Sequence, residues 1–119
     1  MTKGKITVWF NGACSKCRGL KEILDSNGLD FEFRFYLENP PSMDELEGIL
    51  DALGSDNPML LVREKDPSFQ ELNLEGASRE ALLSALTVRP SMLQRPILVQ
   101  GDTAVIARPP EKALEILGV

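Results

Sequence analysis

The sequence predicts an α/β fold, in which a mixed four-stranded sheet is interrupted by a helical insertion between a β-α-β half and a β-β-α half. Two patterns predict this fold: strand, helix and strand signals follow one another in the first 36 residues, and a hairpin followed by a short helix comes last. Helix signals fill the region between them. At 119 residues, the chain has the length of one domain with its own core. We therefore expect a single domain over residues 1–119, with the insertion at about 38–90.

The first half has the pattern of a β-α-β unit. The segment "KITVWF", residues 5–10, is β-branched, aromatic and almost continuously apolar, which is typical of a buried strand. A helix is predicted from about Ser15, since Leu20, Ile23 and Leu24 form an apolar stripe at helical spacing, and Gly28 is a natural helix stop. The segment "FEFRFY", residues 31–36, alternates apolar and polar residues and predicts a second strand. A helix between two strands at this spacing makes them parallel neighbours.

Helical signals dominate the insertion. Ser42 and Glu45 form a capping box, and the leucines and isoleucine that follow give one buried helix face. Ser78 caps a further helix, "SREALLSAL". Between these two helices the periodicity weakens, and only short helical pieces are predicted, at 59–63 and 67–72.

The last part of the chain predicts a hairpin and a short helix. In "PILVQGDTAVIA", strands at 96–99 and 103–107 are joined by a tight turn at 101–102. Two prolines, at 109–110, open the final helix. A C-x-x-C motif directly after the first strand completes the outline of a thioredoxin-like fold.

Charge and composition exclude several functions. The chain carries 13 Lys and Arg against 18 Asp and Glu, a net charge of −5, so we expect no direct binding to nucleic acid through overall charge. No apolar run approaches the length of a membrane span, and the N-terminal residues lack the pattern of a signal peptide. We therefore expect a cytoplasmic protein that makes no membrane contact.

Both cysteines of the chain lie in "NGACSKCRGL", at Cys14 and Cys17. In a cytoplasmic protein such a pair is more often catalytic, redox-sensing or metal-binding than structural. The chain has no histidine, which removes imidazole bases and leaves too few ligands for a zinc site in one chain. We therefore predict no metal and no bound cofactor. A zinc site shared across a dimer and an inert pair of thiols are the alternatives.

The two thiols are predicted to have different roles. Cys14 falls at the N-terminus of the predicted helix, where unpaired backbone N–H groups and the helix dipole favour an anion. With Lys16 and Arg18 nearby, we expect a thiol pKa below the ordinary value of about 8.5, although Lys16 alone is explained as a solvated side chain. Cys17 lies one turn further in and is less exposed. Cys14 is therefore the candidate attacking thiol and Cys17 the candidate resolving thiol.

Pro96 directly follows Arg95 at the start of the third predicted strand. A thioredoxin-like fold has a cis proline at this point, facing the nucleophile. A trans turn proline is the local default, so tertiary contacts must hold the cis form. Pro96 is therefore the candidate structural cis proline.

Four stretches, "YLENPPSMDEL", "LLVREKDP", "RPSMLQRPILV" and "ARPPEKALEIL", resemble the arsenate reductase family that works with glutathione and glutaredoxin. The resemblance runs from Ile6 to Leu117. It implies a thiol oxidoreductase whose Cys14 attacks arsenate or a related small oxyanion, with glutathione as co-substrate and glutaredoxin or thioredoxin as partner. It assigns oxyanion binding and the surroundings of the nucleophile to Arg63, Arg95, Arg108, Asn11 and Arg18. Arginine forks suit tetrahedral oxyanions, although Arg63 alone is also explained as a helix-face charge.

Three positions depart from the motif of this family. Its histidine before the asparagine is Phe10 here, its proline after the asparagine is Gly12, and its serine or threonine is Cys17. A second thiol offers an internal disulfide that a glutathione cycle does not need.

The motif "CSKCR" also resembles Spx-type regulators, which share the fold, bind RNA polymerase and sense oxidation through two cysteines. This regulator is the alternative function, although Arg108 in "ARPPE" and the short last helix fit the reductases better.

Overall fold

The computed structural model describes residues 5–11 and 15–117. These residues form two compact units. The first unit combines the chain up to Tyr36 with the chain from Arg95 onward, and the second unit is Leu37–Gln94. The second unit spans the insertion expected at about 38–90, and the organisation of residues 1–119 as one domain stays a prediction.

A mixed four-stranded sheet forms the centre of the first unit. Its strands are β1 (Ile6–Phe10), β2 (Glu32–Phe35), β3 (Ile97–Gln100) and β4 (Thr103–Ile106), in the order β2-β1-β3-β4. β1 runs parallel to β2, whereas β3 runs antiparallel to both β1 and β4. The predicted fold class is therefore confirmed. β3 begins one residue later than predicted, after Pro96, which has no N–H to contribute to a ladder.

Two helices cover one face of this sheet, namely α1 (Ser15–Ser26) and α5 (Ala113–Leu117). Alternate residues of β1 point to this face and pack against both helices, because side chains alternate along a strand. The buried set of this core is Ile6, Val8, Phe10, Cys17, Leu20, Leu24, Leu98, Ala107, Ala113 and Leu117. A short 3₁₀ turn, Pro110–Lys112, leads into α5, so the proline pair opens the last helix as predicted.

The end of α1 follows from its sequence. Gly28 takes a φ of +65°, a left-handed conformation that suits glycine. The N–H groups of Gly28 and Leu29 then donate to the carbonyls of Asp25 and Leu24, at 3.1 Å each. This pair of hydrogen bonds is a Schellman motif, and it turns the chain toward β2.

The second unit is helical. Its helices are α2 (Met43–Leu53), α3 (Pro67–Glu71) and α4 (Arg79–Val88), with 3₁₀ turns at Pro58–Leu61 and Pro90–Met92. The predicted piece at 59–63 is thus a 3₁₀ turn that begins and ends earlier. A single antiparallel bridge connects the residues that follow the two 3₁₀ turns, Val62 and Leu93.

The helix starts that the sequence predicts for this unit are confirmed. The Ser42 hydroxyl accepts the N–H of Glu45 at 3.1 Å, and the Glu45 carboxylate accepts the N–H of Ser42 at 3.0 Å. This is the predicted capping box. Likewise the Ser78 hydroxyl accepts the N–H of Ala81 at 3.2 Å at the start of α4.

Arg79 connects α4 with two other parts of the second unit. Its guanidinium donates to the Glu47 carboxylate of α2 and lies 2.8 Å from an Asp56 carboxylate oxygen. The hydrogen bond to Arg79 lowers the pKa of Glu47 below its ordinary value of 4.5. The pKa of Arg79 is raised, chiefly by the same hydrogen bond.

Within residues 5–11 and 15–117, no helix has the length and apolar character required to cross a membrane.

Candidate functional site

The strand register brings three of the predicted site residues to one edge of the sheet. Trp9 of β1 is paired with Ile97 of β3 in an antiparallel ladder. Asn11 directly follows β1, and Arg95 comes two residues before β3 begins. Because the two strands are antiparallel, Asn11 and the oxyanion-binding candidate Arg95 lie at the same end of the pair.

The third member of this row is Arg108. Ile97 of β3 is paired with Ile106 of β4, and the antiparallel register continues past both strands because the Ala107 N–H donates to the Pro96 carbonyl at 2.9 Å. The next pair in this register is Arg95 with Arg108. A direct contact confirms their closeness, since Arg108 Nη1 donates to the Arg95 carbonyl at 2.9 Å. We call Asn11, Arg95 and Arg108 the edge row.

Both arginines of the edge row directly precede a proline. The Arg95–Pro96 and Arg108–Pro109 peptide bonds are both cis. Arg95 is partly buried, and Arg108 is exposed. The edge row thus carries two positive charges, one of them open to solvent at the carboxyl end of β1.

Cys17 lies next to this row, in the first turn of α1. Its side chain is fully buried, as the sequence predicts for the second cysteine. The backbone N–H of Asn11 donates to Cys17 Sγ at 3.4 Å, which joins the end of β1 to the start of α1. Lys16 and Arg18 flank Cys17 on the helix, and both are exposed.

Cys14 and Gly12 lie outside the described residues. In sequence, Cys14 is bonded to Ser15, the first residue of α1. The nucleophilic role of Cys14 and its pairing with Cys17 stay predictions from the sequence.

Phe10 contributes an apolar wall directly before Asn11. Its ring stacks on Phe33, with 4.1 Å between the ring centroids, and meets the edge of Phe35 at 6.0 Å. Phe10 is buried, whereas Phe35 is 47% exposed. The position that carries histidine in the resembled family is therefore part of the hydrophobic core in this chain.

Gly19 is a positioning residue for which the sequence analysis predicts no role. A Cβ at Gly19 would lie 3.2 Å from Cγ of Pro110, closer than ordinary carbon–carbon contact. The glycine therefore lets the segment after Arg108 pack directly on α1. The available signal was an isolated glycine inside a helical pattern, which often marks a close packing contact.

Arg63 belongs to the second unit. Its backbone N–H donates to the Met92 carbonyl at 2.7 Å, which fixes the start of the loop before α3. Its guanidinium lies 3.9 Å from an Asp66 carboxylate oxygen and is partly exposed. Its predicted contact with an oxyanion stays a prediction.

The sheet order, a cysteine in the first turn of α1 and a cis proline directly before β3 together define a thioredoxin-like α/β protein. Residues 9–116 match the model of the ArsC family, and the chain belongs to this family.

Relatives cover almost the whole chain. The arsenate reductase of Haemophilus influenzae is 35% identical over 114 residues, covering 94% of this chain and 98% of the relative. The uncharacterized protein YfgD of Escherichia coli is 39% identical over 120 residues, covering 99% and 100%. Among solved structures, the arsenate reductase from Vibrio cholerae superposes with a TM-score of 0.91 at 33% identity, covering 97% of this chain and 99% of its own.

Proposed function

We propose that this protein is a thiol oxidoreductase of the arsenate reductase type, acting in the cytoplasm on arsenate or another small oxyanion. The observation that carries the proposal is the edge row beside Cys17, in a chain that belongs to the ArsC family. Two guanidinium groups at one edge give the planar donor forks that tetrahedral oxyanions accept. The identity and coverage of relatives named arsenate reductase support the same substrate.

The first chemical step is attack on arsenic by the Cys14 thiolate. A sulfur–arsenic bond forms, and one oxygen departs as water after it is protonated. Arg95 and Arg108 hold the remaining oxygens and stabilise their charge, whereas the role predicted for Arg63 rests on the resemblance alone. Because the chain has no histidine, the proton comes from water or from a carboxyl group.

The second step transfers two electrons to arsenic. A second thiol attacks Cys14 sulfur, a disulfide forms, the sulfur–arsenic bond breaks, and arsenite leaves. Glutathione or Cys17 supplies this second thiol, and glutaredoxin or thioredoxin then reduces the disulfide. Cys17 is fully buried, and buried thiols are less reactive than exposed ones, which favours glutathione over Cys17 as the second thiol.

The test is turnover of arsenate with glutathione and glutaredoxin, run beside a thioredoxin-coupled assay. We expect Cys14→Ser to abolish turnover while the circular-dichroism spectrum stays unchanged. Cys17→Ser keeps activity if glutathione resolves the adduct and loses it if the two cysteines cycle as a dithiol. Lys5→Gln is the control, since it removes an exposed charge at the opposite end of β1 from the edge row and none of the assigned groups.

One result would replace this proposal by the regulator. If the wild-type protein binds neither arsenate nor sulfate, yet binds RNA polymerase in only one redox state, the chain is a redox-sensing binding protein and not a reductase.

A further inference from the structure

A groove lies entirely within the second unit. It has a volume of about 550 Å³, within the range of ligand-binding pockets. Met59, Phe69, Leu74 and Leu82 give it an apolar lining. No step of the proposed reaction uses these residues.

Two carboxylates, Glu64 and Glu75, also line this groove. Both side chains are exposed, and among residues 5–11 and 15–117 neither forms an ion pair. The arginines of the unit pair with other carboxylates, namely Arg63 with Asp66, Arg79 with Glu47 and Asp56, and Arg89 with Glu71. The groove therefore offers apolar surface together with uncompensated negative charge.

The charge of the whole unit has the same sign. Leu37–Gln94 contains eleven Asp and Glu against four Lys and Arg, a net charge of −7, although the full chain carries only −5. The negative electrostatic field of this unit attracts a partner with an extended positive surface and speeds its association.

From this complementarity we infer that the groove binds a basic segment of a partner polypeptide. Apolar side chains and the aliphatic stems of lysine or arginine cover Met59 and Phe69, while the cationic heads meet Glu64 and Glu75. Leu60 and Leu72, next in sequence to lining residues, are 43% and 36% exposed and extend the apolar surface that such a segment would cover. The inference does not depend on the proposed reductase activity.

Two other occupants fit less well. A small organic cation would neutralise the two groove carboxylates and leave most of the charge of the unit unmatched. A second copy would have to present exposed cations such as Lys16 and Arg18 of α1 to this groove. Each copy also carries a net charge of −5, so two chains repel each other, which disfavours this contact.

The experiment is a titration of the full chain, followed by amide chemical shifts in heteronuclear NMR. The probe is an acetylated and amidated peptide of lysine, leucine and alanine. A peptide of the same length with glutamate for lysine, and hexylammonium chloride, are the comparison ligands. We expect the lysine peptide alone to shift the amides of the groove, at 59, 64, 69–70, 73–77 and 82, and to bind more weakly as salt rises.

Matched charge variants separate the groove from the general field of the unit. Glu64→Gln with Glu75→Gln should weaken peptide binding by about threefold to tenfold, as expected for two exposed ion pairs. Asp51→Asn with Glu80→Gln removes the same charge from exposed positions outside the groove and should leave affinity within about twofold. Met59→Gln, which keeps side-chain length, tests the apolar contact and should also weaken binding.

Four results would overturn the inference. These are shifts located outside the groove, equal weakening by both charge pairs, equal binding of hexylammonium at the same amides, or concentration-dependent self-association that occupies the groove. The third result would make the groove a site for small cations, and the fourth would make it a contact between copies.

Discussion

Replacement of Gly19 by alanine tests whether Pro110 is held against α1. A glycine inside a helix costs about 0.5–1 kcal/mol relative to alanine, so Gly→Ala stabilises a helix wherever the new methyl group has room. Gly48 of α2 provides the matched control, because a Cβ there meets nothing within 4 Å. We expect Gly48→Ala to raise the free energy of unfolding by about 0.5–1 kcal/mol.

The methyl group of Gly19→Ala has less room. It would lie 3.2 Å from Cγ of Pro110, so the proline ring must shift by a few tenths of an ångström. Overpacking of this kind costs about 1–3 kcal/mol, which exceeds the gain in helix propensity. We therefore expect Gly19→Ala to be less stable than Gly48→Ala by about 1–3 kcal/mol, and no more stable than the wild type.

Urea unfolding followed by circular dichroism measures this difference directly. For a chain of this size, 1 kcal/mol corresponds to about 4 °C in the thermal midpoint, so thermal unfolding provides a second measurement. If Gly19→Ala stabilises the protein as much as Gly48→Ala does, the packing of Pro110 on α1 is not tight and the reasoning fails. A further readout is oxyanion binding, which we expect to weaken because Arg108 lies in the displaced segment.

Three other predictions concern single contacts. Glu47→Gln should lower the free energy of unfolding above pH 4.5, and this difference from the wild type should vanish as the pH falls through the lowered pKa of Glu47. Unfolding curves of both proteins across pH measure the difference, and an equal difference at all pH values would contradict the prediction. Ser42→Ala removes the cap of α2 and should cost about 1 kcal/mol, whereas a loss below about 0.3 kcal/mol in urea unfolding would show that the cap does not stabilise the fold. Arg108→Ala should weaken sulfate or arsenate binding in calorimetry, with stability changed by less than about 0.5 kcal/mol because the side chain is exposed; unchanged binding would remove Arg108 from the site.

The sequence by itself determined the elements whose signals are local. The Ser42–Glu45 capping box set the start of α2, and Gly28 set the end of α1, because each depends on hydrogen bonds between residues a few positions apart. Strand periodicity and the β-α-β order gave the fold class for the same reason. The low exposure of Cys17 was predicted from its place one turn after Cys14, and its burial confirms this.

Only the tertiary structure decided which distant residues meet. The edge row depends on the register of β1 against β3 and of β3 against β4, which is set by side-chain packing across the sheet and not by any local pattern. The hydrogen bond from Arg108 to Arg95 and the contact of Pro110 with Gly19 follow from that register and from close approach of two segments. Residues far apart in sequence are brought together by burial of a shared core, and a single sequence does not specify those pairings locally.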